Sequence, residues 1–321
     1  MDNTDGESEP PSSHREQSFT IPTSLISEDA ARQALLEYAE KKRFSSSRPV
    51  QEMVFKRLRP FEAFRYCLDT FTENRTCERL TVPYNGREVD GAGNGPPPNC
   101  WDIQKRPPHL FRDSVYHMPL PHTSSVMKCF QCCGHGSKGC IICCGSGRSR
   151  CMACGGSGWF INQTCIACYG NGDIGCLGCR GTGFEPCTTC CGQGRLVTYI
   201  QLTIKWENHN VEFLAYDKTD FPTKRFDEVT GKILFSDEQQ TVSPVTNFPE
   251  PLINEASEDV ISEHRSEFAD CKILRQRHTI EWLPLTKVYY TWKDAEYYYY
   301  VYGKENRAYV EDYPKKSCAI M

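Results

Sequence analysis

The sequence has no run of about 18 apolar residues among its 321, so no segment is expected to cross a bilayer as a helix. An apolar stretch near the start is missing too. Met1–Arg15 is acidic and polar, so a secretory signal is not expected. There is no nucleophile elbow, phosphate loop or His-Glu-x-x-His, and the expectation is that the protein is not an enzyme. An excess of either charge is missing: the formal net charge of −4 argues neither for nor against a core. Cysteine, by contrast, is abundant, at twenty residues. Without a secretory signal the expected location is cytoplasmic and reducing, where clustered thiols hold metal more often than they form disulfides.

Twelve of these cysteines fall in a repeated pattern, Cys-x-x-Cys-x-Gly-x-Gly. Its six copies begin at Cys129, Cys140, Cys151, Cys165, Cys176 and Cys187, spaced 11, 11, 14, 11 and 11 residues apart. The array is symmetric about Trp159-Phe160-Ile161-Asn162-Gln163. Tetrahedral zinc takes four thiolates at about 2.3 Å, and each Cys-x-x-Cys turn supplies two. The following glycines let the chain curl so that backbone N–H groups face the sulfurs, which favours positive φ and close backbone approach. Six half-sites therefore imply three zinc ions.

The palindromic spacing favours nested pairing along a hairpin. Cys151 and Cys154 would join Cys165 and Cys168; Cys140 and Cys143 would join Cys176 and Cys179; Cys129 and Cys132 would join Cys187 and Cys190. Pairing of adjacent half-sites is the competing arrangement. Either way four ligands per metal leave no open position, so the zinc is expected to be structural. Cys133, Cys144 and Cys191 read as spectators, and Cys67, Cys77, Cys100 and Cys271 as isolated packing residues. With three ionised sites, its six Lys and Arg and its two carboxylates, the segment totals about −2. That is not the basic surface that phosphate-driven binding requires.

The flanks read as an α+β, β-rich body with helices, into which the cysteine segment is inserted as an elongated zinc-bound β-hairpin arm. The expected divisions are a disordered tail over 1–26, an N-terminal body part over 27–126, the arm over 127–195, a C-terminal body part over 196–314 and a tail over 315–321. A helix is expected from Ser27, capped by its hydroxyl, with Ala31, Leu35, Tyr38 and Phe44 on the packing face. Residues 52–71 suggest a second helix, broken or begun at Pro60, and Tyr84–Cys100 a loop. Strands are expected at Ser114–Leu120 and Leu196–Glu207. A helix is expected over Asp259–Arg275, with Val260, Ile261, Ala269 and Ile273 inside, and a β-meander over His278–Tyr313.

The repeated motif resembles the DnaJ-type cysteine-rich domain, a V-shaped β-hairpin module of forty-kilodalton heat-shock co-chaperones. Those usually carry four copies and two zincs, so six copies imply a longer arm here. In that family the module sits in a β-rich domain that binds unfolded polypeptide. The His-Pro-Asp tripeptide of the J domain is absent, so stimulation of the seventy-kilodalton chaperone ATPase is not implied. The whole chain resembles the SSU-two homolog family. The residues that carry this are the cysteine module, the preceding Cys100-Trp101-Asp102-Ile103 through Pro107-Pro108, and the ending YYYYVYGKENRAYVEDYP.

The chain closes on Cys318-Ala319-Ile320-Met321, a C-a-a-X box whose final Met favours farnesyl on Cys318. One lipid with Lys315 and Lys316 gives reversible association with a membrane surface. The leading expectation is a zinc-stabilised, chaperone-like or adaptor protein that binds unfolded or regulatory polypeptides, with Trp159, Phe160 and Ile161 as candidate contacts. The alternative is a nuclear regulatory protein acting on gene expression through nucleic-acid or transcription-factor contacts, supported by the basic cluster Lys56-Arg57-Leu58-Arg59.

Overall fold

The computed structural model describes Phe19, Ile21, residues 26–42 and residues 47–314. Cys318, Phe44 and most of the segment 1–26 lie outside the described residues. The chain opens with α1 (Glu28–Lys41), α2 (Arg48–Glu52), β1 (Val54–Phe61) and β2 (Ala63–Pro83). β3 (Ser114–Pro119) and β4 (Ser125–Lys128) precede six short strands. These are β5 (Ser137–Gly139), β6 (Arg148–Arg150), β7 (Trp159–Phe160), β8 (Gln163–Thr164), β9 (Asp173–Gly175) and β10 (Phe184–Pro186). Then come β11 (Arg195–Tyr216), β12 (Lys232–Gln239) and α3 (Pro251–Glu267). The last strands are β13 (Lys272–Trp282), β14 (Leu285–Trp292), β15 (Ala295–Tyr302) and β16 (Arg307–Tyr309).

Two compact units result. Of the described residues, one takes those up to Glu73, His109–Asp113 and those from Trp206 on; the other takes Asn74–Pro108 and Ser114–Lys205. The first unit is β-rich with helices packed on its sheets. β1, β14, β15 and β16 form an antiparallel sheet in that order. Against it lies α1, whose Ala31, Ala34, Leu35 and Ala39 are buried with Val288, Tyr290, Tyr299 and Val301. Ser27 caps the helix by accepting from the Ala30 N–H at 3.2 Å. The Tyr299 hydroxyl donates to the Ala31 carbonyl at 2.8 Å, which satisfies a phenol that is 0 % exposed.

A second core forms where β13 pairs antiparallel with both β12 and β2, covered by α3. Phe64, Tyr66 and Leu68 alternate into it and meet Phe248, Ile253, Ile261 and Ile280. Phe19 and Ile21 pack on this cluster, with the Phe19 ring 4.9 Å from that of Phe248. That part of the expected tail therefore contributes to a core.

Apart from Glu52, which ends α2, residues 52–71 are not a second helix but β1 and the start of β2. The period of two in Phe64, Tyr66 and Leu68 decided the matter, and Pro60 is accommodated because β1 is an edge strand. The helix expected over Asp259–Arg275 lies earlier, at Pro251–Glu267. Pro251 starts it, and the Glu250 carboxylate accepts from the Leu252 N–H at 3.3 Å. Ile261 is buried and Val260 packs inward as expected, but Ala269 is exposed beyond the helix end and Ile273 belongs to β13. His278 also lies in β13, so the meander comprises β14 to β16, turning at Lys293-Asp294 and after Gly303.

In the second unit Arg195–Thr198 of β11 pairs with Ser125–Lys128. The strands that enter and leave the cysteine segment are thus hydrogen-bonded partners.

Candidate metal centre

Beyond the β4–β11 pairing the segment continues as a ladder of short antiparallel pairs. β5 meets β10, β6 meets β9 and β7 meets β8. Between successive pairs lie the Cys-x-x-Cys turns, which brings the half-sites together in nested order. Cys129, Cys132, Cys187 and Cys190 form one group; Cys140, Cys143, Cys176 and Cys179 a second; Cys151, Cys154, Cys165 and Cys168 a third. Within each group the four sulfurs lie within 4.8 Å of one another.

The sulfur geometry tests the fit to metal. Arms of about 2.3 Å from zinc give a tetrahedron with edges of about 3.8 Å. The paired sulfurs are 3.9 and 3.7 Å apart in the first group, 3.8 and 3.7 Å in the second, and 3.9 and 3.7 Å in the third. Disulfides would need about 2.0 Å. Three sets of four soft donors at tetrahedral spacing could each hold one metal ion.

The backbone has a part in each centre. The second glycine of every copy donates its N–H to the second cysteine's sulfur, from Gly136 to Cys132 at 3.2 Å through Gly194 to Cys190 at 3.2 Å. The first cysteine's N–H reaches across to a glycine carbonyl of the partner half-site, as Cys129 does to Gly194 and Cys187 to Gly136, both at 2.8 Å. This reciprocity leaves no room for a side chain. A Cβ on Gly183 would fall 2.4 Å from the Gly145 carbonyl oxygen, and the residue's φ of +79° already disfavours anything but glycine.

Charge makes these groups suited to a cation. Burial resists ionisation of Cys187, yet the N–H groups of Cys190 and Thr189 outweigh it and bring that thiol down to about 6. Its neighbour Cys190 is pushed up to about 11 by burial and by the adjoining sulfurs, despite the Gly194 N–H. The third group behaves alike, with Cys154 down to about 6 and Cys168 up to about 11. Thiolates less than 4 Å apart repel, so the fourfold ionised state requires a divalent ion among them.

Cys133, Cys144 and Cys191 stand outside the groups, exposed and with φ near +50°. Cys77 and Cys100 are not isolated packing residues: the Cys77 thiol is pushed up by burial and by a neighbouring Cys100 with which it hydrogen-bonds. Between Cys129 and Arg195 every buried apolar side chain is a ligand cysteine. Trp159, Phe160 and Ile161 at the terminal turn are 61, 55 and 81 % exposed. Sequence reasoning passed over a further set. The residue after the first cysteine is exposed in all six copies and is Phe130, Ile141, Met152, Ile166 and Leu177 in five of them. Its recurrence at one motif position was the available signal.

Fold and site together define a β-rich α+β protein carrying a cysteine-rich module with three nested four-cysteine centres. The chain belongs to the SSUH2 homolog family. It is 46 % identical over 295 residues to Protein SSUH2 homolog of Danio rerio, covering 91 % of this chain and 81 % of that one. The Homo sapiens protein of the same name is 42 % identical over 296 residues, covering 91 % and 79 %. The Mus musculus one is 43 % identical over 255 residues, covering 78 % and 75 %. No protein-family profile and no solved structure matches the chain.

Proposed function

We propose that this protein is a zinc-stabilised polypeptide-binding protein, chaperone-like or adaptor-like, whose cysteine ladder is an elongated arm of the DnaJ cysteine-rich type holding three structural zinc ions. The observation that carries this reading is the inversion of the ladder: sulfurs are buried while apolar side chains face water. Large apolar groups are left exposed where they meet a partner. Four thiolates per centre leave the metal no vacant position for chemistry, which supports a binding role. Cys318 is proposed to be farnesylated, giving reversible membrane association of a cytoplasmic protein.

The test uses the full chain with its metal. Replacing Trp159 and Phe160 by serine is expected to reduce suppression of a model substrate's aggregation severalfold with metal content unchanged. Unchanged suppression would remove the terminal turn from the mechanism. Intact mass of protein from animal cells reads the lipid in the same material.

A further inference from the structure

The arrangement of charge on the cysteine ladder says more about what it binds. Its two carboxylates are both engaged within the ladder. Asp173 is ion-paired with Arg148, its Oδ1 2.9 Å from Nη1. Glu185 is turned toward Cys140: its Oε1 and the Cys140 sulfur each lie 3.5 Å from where a Cβ on Gly178 would be. Arg148 is the one cation of the ladder in an ion pair among the described residues. Lys128, Lys138, Arg150, Arg180 and Arg195 form none, and Lys128 faces Arg195 directly across the β4–β11 pairing, where like charges repel. Lys138 stands opposite Glu185 and Arg150 opposite Asp173 in the strand pairs, so the surface offers six cations against two carboxylates, while the negative charge of the centres is confined to buried sulfurs.

The same segment carries exposed aliphatic side chains on its Cys-x-x-Cys turns: Ile141 is 88 % exposed, Met152 94 %, Ile166 82 % and Leu177 86 %. Ile141 and Leu177 belong to the turns of one centre, and Met152 and Ile166 to those of another. Resting on the polypeptide-binding reading above, we propose that the ladder takes an extended polypeptide segment in which apolar residues are interspersed with Asp and Glu. The apolar side chains of that segment lie against these aliphatic side chains, and its carboxylates reach cations such as Arg150 and Arg180. A nucleic acid is a poorer occupant: its continuous phosphate backbone needs a net positive field along the whole strand, whereas the metal-loaded ladder totals about −2. A short acidic segment needs only local contacts, which the surface cations supply.

The experiment uses metal-loaded full-length protein and three labelled 15-residue peptides read by fluorescence anisotropy. One alternates leucine with glutamate, one leucine with lysine, and one serine with glutamate. The leucine–glutamate peptide is expected to bind at least about tenfold more tightly than either control, the scale of a few surface charge contacts combined with apolar burial. Arg150→Glu with Arg180→Glu should reverse the charge preference, and Ile141→Ser with Leu177→Ser should weaken binding about fivefold or more, all with the metal content of the unsubstituted protein. Equal binding of the glutamate and lysine peptides would overturn the proposal, as would binding confined to a 20-nucleotide DNA strand or to phosphatidylserine vesicles. If aggregation suppression persists while the charge preference is absent, only this inference falls. Loss of both peptide binding and suppression removes the broader reading as well.

Discussion

The body and the cysteine ladder are cohesive for opposite reasons. In the body the largest fully buried side chains are aromatic, among them Tyr66, Phe64, Phe71, Tyr290, Tyr299 and Tyr300. Each such ring removes apolar surface from water, and each buried phenol that finds a partner avoids a desolvation cost. In the ladder the buried side chains are cysteines, and the apolar ones, apart from the half-buried Ile174, lie outside. The comparison teaches that when clustered cysteines and glycine backbone fill the inside of a segment, its apolar residues are released from packing and become available to a partner.

The sharpest way to break the comparison is to remove the metal. Structural zinc contributes on the order of 10 kcal/mol to a small domain, so a strong chelator should make residues 127–195 rapidly cleavable in limited proteolysis. The body's near-ultraviolet tyrosine signal should persist. Loss of both together would mean that the two regions are one cooperative system.

A glycine pair sharpens the backbone side of the argument. Gly183→Ala forces a Cβ against the Gly145 carbonyl at positive φ, whereas nothing lies within 4 Å of a Cβ on Gly139 in β5. The first substitution should cost about 2–4 kcal/mol and lower the metal bound per chain in chelator competition; the second should stay within about 1 kcal/mol.

The smallest effect concerns the body alone. His278 is 1 % exposed, and burial lowers its pKa to about 4 against the opposing pull of Asp237. Between the ordinary 6.5 and about 4 the unfolded chain takes up a proton that the folded chain does not, so stability falls as pH falls through that window. The cost is about 1 kcal/mol at pH 5.5 and about 3 kcal/mol below pH 4. His278→Phe should flatten the shift of the urea midpoint between pH 7.5 and 5.5, and an unchanged shift would assign the acid sensitivity elsewhere.

Legibility in the sequence followed the range of the interactions. Ser27 and the α1 face could be read because a cap and a helix stripe are local. Pro251 after Glu250 would have placed α3 correctly, since proline belongs at the first helical position. Residues 52–71 were harder, because β2 gains its identity from pairing with a strand some two hundred residues later in the chain. Trp159, Phe160 and Ile161 were found as a turn, while the apolar residues after each first cysteine emerged only once their exposure was known.

What the sequence alone determined is the set of twelve candidate ligands and their glycines, because a two-residue gap between cysteines and a glycine at fixed offset are constraints of a single turn. What only the tertiary structure decided is which half-sites share a centre, which cysteines elsewhere are neighbours, and which apolar residues remain in water. Those are properties of two chain segments meeting, and the antiparallel register that brings Gly136 against Cys187 is set by hydrogen bonds between residues about fifty apart.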